Sequence, residues 1–184
     1  MRGIIMLSLL IVGTTYSCVQ KSEYHRLVTS EMAKGERQDS LFLGIYLGMS
    51  QKDFYTHCWE LNKNGVFRQG TTNNTVSYTL DDQELKHPGH LDFYPNFDED
   101  GIIKEMPTYF VYDGWAPWNK HLSSDSLELD VINFLEKKYG GNPFIKVEVP
   151  NKGYLNVKVD GNRRIILTKE ENKVRAMYSD LMAD

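Results

Sequence analysis

The sequence predicts an α+β fold: an antiparallel sheet with helices packed on one side, arranged as two αβββ units sharing one core. Three observations carry that expectation. Tyr, Phe and Trp make up 12% of the chain, and aromatic side chains suit the pleated, half-buried surface of a sheet. Ser50 and Ser123 each stand just before an apolar stripe at helical spacing, where a serine caps a helix N-terminus. Behind each stripe come short alternating runs separated by turn residues, which is the pattern of antiparallel strands.

The elements follow in order. Leu27, Val28, Glu31 and Met32 share helical spacing between Tyr24 and Lys34, and Gly35 ends that helix. Residues 36–40 are a polar connector. Ser50 opens a second helix that runs through Phe54, Cys58 and Leu61 to Asn64-Gly65, with Asp53 placing negative charge near its N-terminus. Strands are expected over Val76 to Leu80, Leu91 to Phe97 and Ile102 to Asp113, the last with a bulge or an edge at Pro107. Ser123-Ser124-Asp125 opens a third helix with Leu127, Val131, Phe134 and Leu135 on its apolar face, stopped by Gly140-Gly141. Strands Phe144 to Val149, Tyr154 to Val159, Arg164 to Thr168 and Val174 to Tyr178 complete the chain, and Asp160-Gly161 signals a hairpin. This order divides residues 41–184 into halves 41–114 and 115–184, preceded by a tether and helix over 18–40.

Residues 1–17 have the layout of a secretory signal peptide. Arg2 supplies a positive flank, Ile4 to Val12 is apolar, and Thr14 to Ser17 lead to Cys18. The apolar run falls well short of the roughly 20 residues of a membrane-spanning helix. A cysteine directly after the cut is where bacterial lipoproteins are acylated, so Cys18 is the expected lipid anchor. The box before it is loose, with Thr15 and Tyr16 where Leu and a small residue are usual, and plain cleavage leaving a free Cys18 is the rival reading. Cys58 is the only other cysteine. It reads as a small core hydrophobe. A terminal thiol in an exported chain is better explained by acylation than by exposure to oxidation.

Composition sets further bounds. The chain has 184 residues and a net charge of −4, which moves one unit more negative without the leader. An acidic balance supplies no electrostatic footprint for nucleic acid. No phosphate loop, dinucleotide fingerprint or Gly-x-Ser-x-Gly elbow is present. Asn96 to Gly101 imitates the start of a calcium loop, but the position of the bidentate Glu holds Pro107, so an acidic hairpin turn is expected. His87 and His90, with Asp92 close by, lack the helical spacing of a zinc enzyme and read as a solvated turn. His57 and Cys58 are adjacent on a helix and diverge by about 100°, which prevents a nucleophile–base pair. Arg163-Arg164 reads as a solvated turn that blocks aggregation. No cofactor, metal site or catalytic residue is expected.

Tyr112, Trp115 and Trp118 stand out, because two tryptophans flank Ala116-Pro117 between the halves. Exposed aromatic clusters mark partner and ligand surfaces. The competing reading has both tryptophans plugging the seam between the two units.

Residues Phe42 to Ser50, Asp53-Phe54, Cys58 to Asn62 and Gly65 also carry a resemblance, together with Phe93-Tyr94-Pro95, Trp115 to Asn119 and Val159 to Ile165. The chain resembles an uncharacterised family of secreted or lipid-anchored proteins from Bacteroides-type bacteria, a resemblance that implies no activity. A more local resemblance, over the Gly-Met-Ser turn and the helix after it, is to SmpA/OmlA-type outer-membrane assembly lipoproteins and β-lactamase-inhibitor-like domains. It implies an α+β fold and protein–protein contact. The function expected is therefore that of an exported, lipid-anchored cell-envelope protein, in the periplasm or at the cell surface. It would act as a non-catalytic interaction or assembly module with an envelope protein partner. A ligand-binding lipoprotein for a glycan or nutrient is the first alternative, and an enzyme of unrecognised type the second.

Overall fold

The computed structural model describes residues 22–72, 74–150 and 153–183. Residues 1–17, read above as a signal peptide, and Cys18, read as the lipid anchor, lie outside the described residues. Three α-helices, α1 (Glu23–Lys34), α2 (Gln51–Lys63) and α3 (Ser124–Tyr139), pack against one nine-stranded antiparallel sheet. Its strands are β1 (Phe67–Gln69), β2 (Val76–Leu80), β3 (Gly89–Phe93), β4 (Asn96–Phe97), β5 (Ile103–Tyr112), β6 (Ile145–Val149), β7 (Gly153–Asp160), β8 (Arg163–Lys169) and β9 (Lys173–Asp180). The α+β class and the helix-on-antiparallel-sheet architecture are those the sequence predicts.

The strand order is β1-β2-β3-β5-β9-β8-β7-β6, with β4 paired to the far end of β5. Each half therefore contributes a helix and then a meander, and the last long strand of each meets the other at the centre. That seam is a backbone ladder running from Glu105 opposite Ser179 to Val111 opposite Lys173.

Local chemistry explains the helix boundaries. Ser22, Ser50 and Ser123 each accept a backbone N–H of the first turn, from His25, Asp53 and Ser126, which satisfies one otherwise orphaned donor. Gly35 closes α1 in the left-handed conformation. On β5 the burial alternates strictly from Met106 to Tyr112, as a period-two strand requires. Pro107 lies within this central strand and not at an edge. The β3 ladder stops at Phe93 opposite Thr108, β4 resumes at Asn96 opposite Glu105, and the register shift falls inside β4. The missing N–H of Pro107 thus faces the gap between two neighbours, where the ladder needs no donor.

The core lies between the sheet and helices α2 and α3. Leu127, Val131 and Leu135 of α3 are fully buried against Phe110, Leu167, Val174 and Ala176, and Phe54 anchors α2. The segment 41–49 adds Leu41, Phe42, Ile45, Leu47 and Met49 to this core without forming a helix or a long strand. It doubles back at Leu43-Gly44, both at positive φ. A Cβ on Gly44 would press on the His57 ring at 3.0 Å, and that ring bonds the Leu43 carbonyl at 2.6 Å. A glycine is needed there on both counts.

Helix α1 sits over β6 and β7. Its Glu31 is 5% exposed and accepts hydrogen bonds from Lys34, Asn142 and the Gly161 amide. Gly161 at the β7–β8 turn also passes so close to Glu36 that a Cβ would meet its carbonyl oxygen at 2.4 Å. The expectation that Arg163-Arg164 form a solvated turn is corrected here. Arg163 is 3% exposed, donates to the Ser40 carbonyl at 2.6 Å and lies over the Tyr139 ring at 3.9 Å. Arg164 donates to the Tyr24 hydroxyl of α1. The tight turn leaves both arginines inside the strand β8, where packed elements from both ends of the chain meet them.

Candidate functional site

The connector between the halves begins at the end of β5. Tyr112 is the last inward residue of that strand and is 2% exposed. Its hydroxyl donates to Asp130 Oδ2 of α3 at 2.5 Å. Burial and the Asp130 carboxylate both push its phenol well above the usual range. The expectation that Tyr112 belongs to a partner surface is therefore corrected, because period-two alternation along β5 turns it into the core.

Trp115 and Trp118 follow different rules because they lie beyond the strand. Trp115 is half-buried. Ala116 to Asn119 form a turn closed by the Asn119 amide on the Ala116 carbonyl at 2.9 Å. Pro117 takes the second turn position, for which its ring presets the backbone. That places Trp118 at the tip, 85% exposed. A seam plug would be buried, and the seam itself is closed by the β5–β9 ladder, so Trp118 does not plug it. A second exposed aromatic pair, Tyr55 and Trp59, lies one turn apart on α2. Lys63 Nζ stands 4.4 Å from the Trp59 ring.

Asp113, next to Tyr112, faces a different group. The Asp113 amide donates to the Pro88 carbonyl at 2.9 Å, which extends the β3–β5 ladder by a step. Its carboxylate then meets His90 Nδ1 at 2.8 Å, the diagonal neighbour across the strand pair. His90 is thus a strand residue and not part of a solvated turn. His87 alone stays in the turn, its ring edge-on to Tyr112 at 5.4 Å. Along β3, Leu91 and Phe93 point into the core, which sends His90 and Asp92 to the other face. Ser77 and Thr79 of β2 stand opposite Asp92 and His90, and Arg68 of β1 stands opposite Ser77. The groove bounded by Arg68, Thr71, Ser77, Thr79, His90 and Asp113 has a volume of about 300 Å³.

The remaining candidates resolve simply. Cys58 packs on the core edge, and burial pushes its thiol up to about 12, which makes it a poor nucleophile. Asp98 accepts the amides of Asp100 and Ile102. The Ile102 amide is the main cause holding its carboxyl below the usual range. This is the acidic hairpin turn expected of that segment. Among the described residues no cluster of three His, Cys, Asp or Glu side chains is placed to hold a metal, and no helix is long and apolar enough to cross a membrane. Comparison with protein-family models, curated proteins and solved structures found no match.

Sequence reasoning set Asp92 beside His87 and His90 in a solvated turn and did not bring Asp113 to them. The signal was present in Gly89-His90-Leu91-Asp92-Phe93: polar and apolar residues alternate, so both polar ones must share a face. Ser77 and Thr79 carried the same alternation in Val76 to Leu80, but only the strand register brings them and Arg68 alongside His90 and Asp92.

Proposed function

We propose that the chain is an exported, lipid-anchored cell-envelope protein that docks a protein partner through the connector around Trp118. One observation carries this reading: a tryptophan 85% exposed at the tip of a proline-set turn. Leaving so large an apolar ring in water forgoes roughly 2 kcal/mol of burial. Aromatic residues of this kind are the anchors of protein interfaces. The leader, Cys18 and the absence of a recognisable catalytic motif in the sequence support an interaction module held at a membrane. Replacing Trp118 with Ala tests it. The variant should unfold within about 0.5 kcal/mol of the parent, because an exposed side chain supports little of the fold. It should also lose its crosslinked envelope partner in cells. Unchanged crosslinking in the Trp118→Ala variant removes the basis for the proposal.

A further inference from the structure

We infer that β6 pairs antiparallel with the β6 of a second copy of this chain, joining two sheets into one across a two-fold axis at Val147. The inference stands apart from the docking role of Trp118. The sheet ends in β1 on one side and in β6 on the other. The β1 end is three residues long, and so short an edge is blunt. The β6 end spans Ile145–Val149, with every residue paired to β7 on one side. Among the described residues no strand pairs with its other side. Every second residue of an edge strand turns its N–H and C=O outward, where they can extend the ladder. Helix α1 contacts β7 as well as β6, so it lies over the sheet face and not along that edge.

The side chains of β6 decide which strand fits. Lys146 and Glu148 are exposed and share one face of the strand. Neither has an ion-pair partner among the described residues. A lysine alone on an edge repels a second sheet, but here a carboxylate stands two residues on. An antiparallel copy turned about Val147 sets Lys146 opposite Glu148 of the second copy, and Glu148 opposite its Lys146. Both charges are matched by the same surface, and opposite charges directly across a strand pair attract. On the other face Ile145, Val147 and Val149 are half-buried, with Val157 and Leu155 of β7 beside the first two. The same axis sets Ile145 opposite Val149 of the second copy and Val147 opposite its own equivalent. The apolar rows then run on across the seam as β-branched pairs, which suit neighbouring strands.

Other antiparallel registers fail. An axis at Lys146 sets two lysines opposite each other, and one at Glu148 sets two glutamates, both repulsive. A slip of one residue sets charged side chains opposite apolar ones. Pro143 and Pro150 flank the strand and confine the ladder to it. The pairing uses the same edge of both copies, so it closes at two and does not grow into a fibre. A foreign strand would need its own lysine and carboxylate at matching positions, whereas a second copy carries them by symmetry.

The test follows the mass of the full chain in a mild detergent by sedimentation across a concentration series. The parent should pass from one chain to two and no further. Lys146→Glu and Glu148→Lys should each weaken the pairing about tenfold or more, because both attractive contacts become repulsive. The double variant Lys146→Glu/Glu148→Lys should restore it, and the two single variants, mixed, should pair with each other. Both positions are exposed, and circular dichroism checks that each variant folds. Val147→Cys reads the register without any change of charge: mild oxidation should link it to the same position of the second copy, seen by peptide mass. Trp118→Ala should leave the pairing unchanged. A single chain up to about 100 µM overturns the inference and leaves the edge to a foreign strand. So does pairing that neither charge variant weakens, a double variant that stays single, a Val147→Cys chain that does not link, or pairing lost with Trp118→Ala.

Discussion

Side chains close together in sequence have opposite fates here, and geometry decides which. Tyr112 and Trp118 are six positions apart. One ends a strand with its hydroxyl on Asp130, and the other tops a turn in water. Composition marks both as notable aromatics. Only the phase of the β5 alternation, counted inward from Met106, shows that Tyr112 is core, and a reading that ended the strand at Asp113 without fixing that phase could not separate them. Cys58 was more legible, since its spacing from Phe54 and Leu61 put it on the packed face of α2. A thiol pushed up to about 12 is ionised in roughly one molecule in ten thousand at pH 8. Thiol alkylation of the native chain at pH 8 should therefore leave the Cys58 peptide unmodified, and denaturant should expose it. Rapid native labelling, read by peptide mass, would contradict its placement.

Among the elements, helices with caps were legible and short strands were not. Ser50 and Ser123 mark their helices because a capping hydroxyl acts within one turn, whereas β1, only Phe67–Gln69, is defined by pairing with β2 and has no local pattern of its own. The hold on α1 was equally hidden. Glu31 reads as a helix-face residue, yet it joins α1 to Asn142 and to the β7–β8 turn. Buried Lys158 binds the carbonyls of Gly140 and Asn142 and the Asp160 carboxylate beside it. Burial raises the Glu31 carboxyl, but the bonds from Lys34, Gly161 and Asn142 outweigh it and hold it below its usual 4.5. A depressed folded-state pKa means that Glu31 contributes stability above about pH 4.5 and loses it as pH falls through the folded value. Glu31→Gln should cost about 1–3 kcal/mol at pH 7. The gap to the parent should shrink towards pH 3 in urea unfolding. A gap that does not change with pH would show that the charge on Glu31 plays no part in the latch.

At the scale of the whole molecule, the two meanders are one sheet because β5 and β9 pair along seven residues. The core cluster draws on both halves, from Phe54 and Phe93 to Leu135 and Tyr178. Residues 36–40 are also stitched to the last strands: Arg37 binds Asp180 at 2.6 Å, and the Gln38 amide binds Asn162. Unfolding in denaturant should accordingly be a single transition, with the same midpoint by tryptophan fluorescence and by far-ultraviolet circular dichroism. Separate midpoints would mean that the halves are independent. The repeated order of helix and strands made the class legible from sequence, but the meeting of the two last strands was not, since long-range pairing leaves no trace in local pattern. This frame holds the 115–118 connector at a fixed place between the halves and leaves Trp118 outside. The most direct test of the docking role is a photo-crosslinking residue at position 118 of the full chain in living cells, compared with one at the exposed Tyr154 of β7 and read together with the intact mass of the membrane-extracted protein. The account predicts cleavage before an acylated Cys18 and one recurrent envelope protein captured from position 118 but not from 154. A soluble, unacylated chain with no recurrent partner at 118 would contradict it.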